Sequence, residues 1–189
     1  MTELLSGRII SFLKDRNVIQ QDEEVYLYGC DAVVYTILST AGLVLISTIF
    51  GMLLEGCICI TIFYLNQSIG GGYHANTHLK CFLVMSLGLM LSFGIIRSVT
   101  NIAVLAIACI PAFIVLFRFP LVLHPFLRHL GKKGDRLKLR SYILSTSEFI
   151  FCLACFLHVL SGISASIFTA VFFSAASRTA GFFIYKLQS

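Results

Sequence analysis

Between residue 25 and residue 187 the chain is a succession of long apolar stretches joined by short polar connections. About 20 consecutive apolar residues cross a bilayer as a helix, and within lipid each helix has to satisfy its own backbone polar groups. A chain of 189 residues patterned this way has room for about six such helices and none for a large extramembrane domain. Composition agrees, with 58% hydrophobic and 12% charged residues and a mean hydropathy of +0.91, above the roughly half-apolar make-up of soluble domains. The expected fold is an all-α integral membrane protein, one membrane-embedded domain over residues 1–189.

Spans are expected from about Val25 to Phe50, Met52 to Asn66, Leu79 to Ile96, Ile102 to Leu123, Tyr142 to Leu160 and Ser164 to Lys186. The second is barely long enough to cross. Ahead of them, Leu4, Leu5, Ile9, Phe12 and Leu13 fall near helical spacing among Arg8, Lys14 and Arg16. Residues 1–22 therefore read as an amphipathic helix lying in the membrane interface, with a soluble lead-in as the alternative. The segment lacks the basic, then apolar, then small-residue layout of a signal peptide and is expected to belong to the mature protein.

Lys and Arg collect in cytoplasmic connections. Arg8, Lys14 and Arg16 precede the first span, Lys80 borders the second connection, and Arg128, Lys132, Lys133, Arg136, Lys138 and Arg140 crowd the connection over residues 124–140. Arg97 alone falls on the other side. Six spans then place both termini and the polar stretch after Asn66 in the cytoplasm of a multi-pass protein. Topology accounts for the formal charge of +5, which argues against nucleic acid as a partner; membrane lipid is the expected one. The basic connection reads first as a topology determinant that also attracts anionic lipid.

Seven cysteines is an odd count, and Cys57, Cys59, Cys109, Cys152 and Cys155 sit in apolar runs where a thiol acts as a small hydrophobe. No disulfide framework is expected. Ionisable residues within spans are costly and call for a partner or a function; here they are Asp31, Glu55, Arg118, Glu148, His158 and Arg178. Glu148 and Arg178 share a depth on the six-span topology and read as a structural ion pair. Glu55 reads as a solvated turn residue, and His158 as a core or interfacial histidine.

Chemistry concentrates in residues 66–81, which end in Gly70-Gly71-Gly72-Tyr73-His74-Ala75-Asn76-Thr77-His78-Leu79-Lys80-Cys81. A catalytic thiol needs a base within hydrogen-bond reach. His74 and Cys81 lie seven apart, about 10.5 Å of rise on a straight helix, so they meet only if the chain bends between them. The glycines supply conformations closed to other residues. Asn76 or Thr77 can cap the next helix, leaving Cys81 near its positive end, where a thiolate is stabilised. His78, three residues before Cys81, is a rival base. A metal site of His74, His78 and Cys81 lacks a clear fourth ligand. A packing turn with an incidental cysteine also fits, and these residues alone leave the three readings open.

The segment Gly71-Gly72-Tyr73-His74-Ala75 followed by Cys81, opening the third span of a small basic six-span chain, resembles the accessory gene regulator B family (AgrB), membrane cysteine endopeptidases of bacterial quorum sensing. Chain length, the amphipathic N-terminus, Tyr28-Gly29 and the basic connection after His124-Pro125 extend the resemblance over nearly the whole chain. It implies Cys81 as nucleophile, His74 as its base, Gly71 and Gly72 as loop support, and no metal or other cofactor. The implied substrate is an AgrD-like pro-peptide, whose acidic tail would be drawn to Arg128, Lys132, Lys133, Arg136, Lys138 and Arg140. Removal of that tail would leave an acyl-thioester on Cys81, from which a thiolactone or lactone ring closes. The resemblance also implies a homodimer. Relatives often carry an arginine where this chain has Gln67. Asp31, near the expected depth of the site, is a candidate to orient His74, with Glu148 the weaker one. The alternative function is a non-enzymatic transporter or exporter of a small peptide. A lipid-modifying enzyme is a third, but the aspartate set it would need for metal is not found.

Overall fold

The structure is a computed structural model that describes residues 2–16, 23–73, 77–98, 101–122, 132–158 and 161–187. Among these residues there are seven helices: α1 Thr2–Asp15, α2 Glu23–Ile49, α3 Leu53–Gly70, α4 His78–Ser98, α5 Ile102–Arg118, α6 Lys132–His158 and α7 Ser161–Leu187. Four contain stretches long and apolar enough to cross a membrane, Gly29–Ile49, Leu53–Gly70, His78–Ser98 and Ile163–Lys186, and Ala103–Arg118 is a shorter apolar helix. The chain forms two compact units, Met1–Leu45 and Ile46–Ser189.

In the first unit α1 and α2 are tied by a hydrogen bond from Ser6 Oγ to Asp31 Oδ1 at 3.3 Å. Ser6 and Ile10, one turn apart, are buried, while Ile9 and Phe12 are exposed. The second unit is built around α7, which packs against α3, α4, α5 and α6. Its core joins Leu105, Cys109, Phe113 and Leu116 of α5 and Cys152 of α6 to Ile167, Phe168 and Val171 of α7. Buried Ser164, Ala165, Ser166, Ala170, Ser174 and Ala175 line α7; side chains this small let helix backbones approach closely where lipid supplies no hydrophobic drive. Leu83, Leu87, Ile107, Ile114, Ile150 and Phe183 are exposed, an apolar exterior suited to hydrocarbon.

Three boundaries differ from the sequence expectation. The helix expected to stop at Asn66 continues to Gly70, and the Asn66 side-chain amide finds partners there in the Ile62 carbonyl at 3.2 Å and in Glu148 at 2.6 Å. That gives α3 18 residues, enough to cross. The helix expected to reach Leu123 ends at Arg118, with Phe119 as its cap. Pro120 follows, and a proline disfavours helical geometry at the residue before it. Finally, residues 132–140, expected as a loop, are the first turns of α6. Lys, Leu and Arg are good helix formers, and Asp135 and Lys138 pair across one turn at 3.7 Å. At the end of the second unit opposite the glycine turn, Gly51 takes φ +66° in the turn that leads into α3, and Arg97 donates to the Phe50 carbonyl.

Candidate active site at the glycine turn and the start of α4

α3 ends where the backbone turns left-handed. Gly71 has φ +69°, open to glycine at little cost and strained for other residues. The Gly71 N–H closes the helix on the Gln67 carbonyl at 3.1 Å. Gly71 then forms a parallel bridge with Val122, whose N–H donates to the Gly70 carbonyl at 2.9 Å. A side chain at Gly71 would collide with the Val122 backbone carbonyl. Two physical demands, positive φ and backbone contact, thus meet on one residue.

The next two residues are held from α7 and from α3. The Tyr73 N–H donates to the Ser177 carbonyl at 3.0 Å and also approaches Ser177 Oγ at 3.3 Å. Tyr185 donates its hydroxyl to the Gly72 carbonyl at 3.3 Å. Gly181 lies one turn from each on α7, and a Cβ there would meet the Gly72 and Tyr73 backbone at 2.7–2.8 Å. From α3, Gln67 Nε2 donates to the Tyr73 carbonyl at 2.8 Å, and Gln67 Oε1 accepts from Ser177 Oγ at 3.3 Å. Gln67 therefore ties the turn to α7 through its amide.

Below the turn lies a buried polar cluster. Arg178 is 1% exposed and Asn66 2%. Asn66 Nδ2 donates to Glu148 Oε1 at 2.6 Å, and Arg178 Nη2 donates to Asn66 Oδ1 at 2.9 Å. The expected pairing of Glu148 with Arg178 is therefore carried through an intervening amide. Arg178 Nη1 also reaches the carbonyls of Leu116, Phe119 and Pro120 at 3.3–3.4 Å, which takes up acceptors left open at the end of α5. A side chain on Gly70 would fall onto the Arg178 guanidinium.

α4 begins after residues 74–76. Thr77 caps it: its hydroxyl accepts from the Lys80 N–H at 3.3 Å, and its carbonyl accepts from the Cys81 N–H at 3.1 Å. Of the two caps anticipated, Thr77 fills the role, and Asn76 lies outside the described residues. Cys81 is thus in the first turn of α4, half-buried and free of disulfide, at the positive end of the helix dipole. Two cysteines of the second unit differ in setting. Cys59 and Cys109 are buried and donate to the Ser166 and Phe168 carbonyls at 3.4 and 3.2 Å, the behaviour of packing thiols. His78 and Lys80 are exposed beside Cys81.

His74 lies outside the described residues, as do Arg128, His124 and Pro125. Lys132 and Lys133 open α6, and Arg136, Lys138 and Arg140 are exposed on its first turns. Asp31 belongs to the first unit and accepts from Ser6. Ser177, Gly181 and Tyr185, which hold the turn, were not singled out from sequence. The available signal was their spacing of four on α7 beside Arg178, one face of a helix that also presents a glycine in its last third.

An apolar helical bundle with membrane-length helices and a half-buried thiol at a capped helix start, reached through a clamped glycine turn, defines a polytopic membrane protein with a candidate thiol site. The family model for accessory gene regulator B matches residues 6–178, and the chain belongs to that family. Membership places it among membrane proteins that process quorum-sensing pro-peptides. Neither a curated protein nor a solved structure matches the chain.

Proposed function

We propose that this protein is a membrane cysteine endopeptidase that cuts the C-terminal tail from an AgrD-like pro-peptide and holds the remainder as a thioester on Cys81. The observation that carries the reading is the placement of Cys81 in the capped first turn of α4, five residues beyond the segment that joins it to the clamped turn, in a chain of this family. A helix N-terminus favours the thiolate. His74, covalently joined to the clamped Tyr73, is the base and later the acid.

The chemistry follows in two steps. The Cys81 thiolate attacks the carbonyl at the junction between signal and tail, and the tail departs as an amine that takes a proton from His74. Backbone N–H groups at the start of α4 are suited to the oxyanion. The thioester retains enough free energy for a Cys or Ser side chain of the substrate to displace Cys81 and close a ring, given that water is kept out. Six spans, with both termini and the glycine turn in the cytoplasm, put this site at the membrane boundary. The basic first turns of α6, with Arg136 and Arg140 exposed, receive the acidic tail.

The test is reconstitution in lipid with a candidate pro-peptide, read by mass spectrometry for the native protein and for Cys81→Ala, His74→Ala and His78→Ala. Tail release lost in the first two variants alone is the expected result. Cleavage surviving Cys81→Ala removes the peptidase reading in favour of peptide transport. Dependence on His78 in place of His74 keeps the chemistry and moves the base.

A further inference from the structure

The buried guanidinium of Arg178 has no role in the chemistry above, yet it touches every element that fixes the glycine turn. It bonds to Asn66 on the last turns of α3 and to three carbonyls at the end of α5. It also fills the space that a side chain on Gly70 would take. Its neighbour Ser177 accepts the Tyr73 N–H, and the stretch from Phe119 to Val122, whose first two carbonyls Arg178 holds, is the one that bridges to Gly71. Both sides of the turn are thereby referred to a single side chain. At 1% exposure it has no access to substrate.

We propose that Arg178 is a positioning residue: it locks the Gly70–Tyr73 backbone between α3, α5 and α7 and so sets where the chain delivers His74 toward Cys81. The proposal rests on the peptidase reading for its catalytic consequence, but the locking of the turn is a property of the fold and is measured separately. Lysine keeps the charge but has one point of donation where the guanidinium has a fork of five N–H groups, so it cannot serve Asn66 and three carbonyls together. Methionine keeps the volume and loses the donors.

Removing Arg178 alone leaves Glu148 without its balancing cation, which by itself destabilises a buried cluster. The decisive variant is therefore the double substitution Glu148→Gln with Arg178→Met, compared with Arg178→Lys and the native protein in lipid. Two readouts are taken: amide hydrogen exchange of peptides covering Gly70–Tyr73 and of the remaining helices, and kcat and KM for tail release. The expected result is faster exchange confined to the turn in both variants. It is accompanied by a fall in kcat of about 100-fold, the scale of a misplacement of about 1 Å, with KM within a few-fold of native. Native exchange at the turn in the double variant overturns the proposal, as does native kcat. Faster exchange spread over all helices, with kcat and KM lost together, also overturns it, since that is the mark of a merely structural pair. Absence of Cys81-dependent cleavage in the native protein defeats the peptidase reading, and the exchange data then decide the locking alone.

Discussion

In the proposed mechanism Cys81 and His74 carry the chemistry, and their removal has different sizes. Cys81→Ala takes away the atom that holds the acyl group in that mechanism, so tail release falls to background. His74→Ala leaves the thiol but removes proton transfer and lowers kcat by about 10²- to 10⁴-fold, whereas His78→Ala stays within a few-fold of native; single-turnover cleavage followed by mass spectrometry distinguishes the three. Thr77 acts through the helix. It donates no chemistry, but its hydroxyl accepts the Lys80 N–H, and Thr77→Ala costs about 1 kcal/mol of stability while Thr77→Ser restores it, read as a shift in unfolding temperature. Glycines divide sharply. Nothing lies within 4 Å of a Cβ at Gly94, so Gly94→Ala is silent. Gly181→Ala presses on the Gly72 and Tyr73 backbone, which has no side-chain freedom to yield, and costs about 1–3 kcal/mol together with a loss of cleavage rate.

At the scale of elements, the helices were legible because apolar runs of membrane length leave few alternatives, but the ends at Gly70 and Arg118 were missed by a few residues. The turn at Gly51 was legible. Asn66 was not: in a sequence it reads as the start of a polar connection, and only the bond to Glu148 on α6 shows it as a buried helical residue. The same blindness hid the α7 face of Ser177, Gly181 and Tyr185, since residues of ordinary type become a clamp only when a distant loop is laid across them. The His-to-Cys segment was visible from local chemistry, while the means that hold its glycine turn were long-range. α6 supplies a prediction of its own. Arg136 and Arg140 lie one turn apart on an exposed surface, so reversing both to Glu raises KM for a pro-peptide with an acidic tail and leaves a substrate with a neutral tail unchanged. The difference shrinks as ionic strength rises, which a salt series of KM values checks.

Over the whole molecule, placement of the site depends on the direction in which the helices cross. Six spans require the start of α4 and the basic end of α6 to share the cytoplasmic side, with Arg97 and Asn101 on the other. Single reporter cysteines at Lys138 and at Asn101, placed in a background with the exposed native thiol Cys57 replaced, are expected to react with a membrane-impermeant reagent from opposite faces. Reaction of both from one face contradicts the six-span topology. The central claim, covalent catalysis by Cys81, is tested most directly by catching the intermediate. Native protein in lipid is mixed with pro-peptide, quenched in acid within the first turnover, digested and weighed. The account predicts a peptide containing Cys81 heavier by the substrate without its tail, discharged by neutral hydroxylamine as a thioester is, and missing from Cys81→Ala. Tail release that proceeds with no adduct on Cys81 and at equal rate in Cys81→Ala contradicts it.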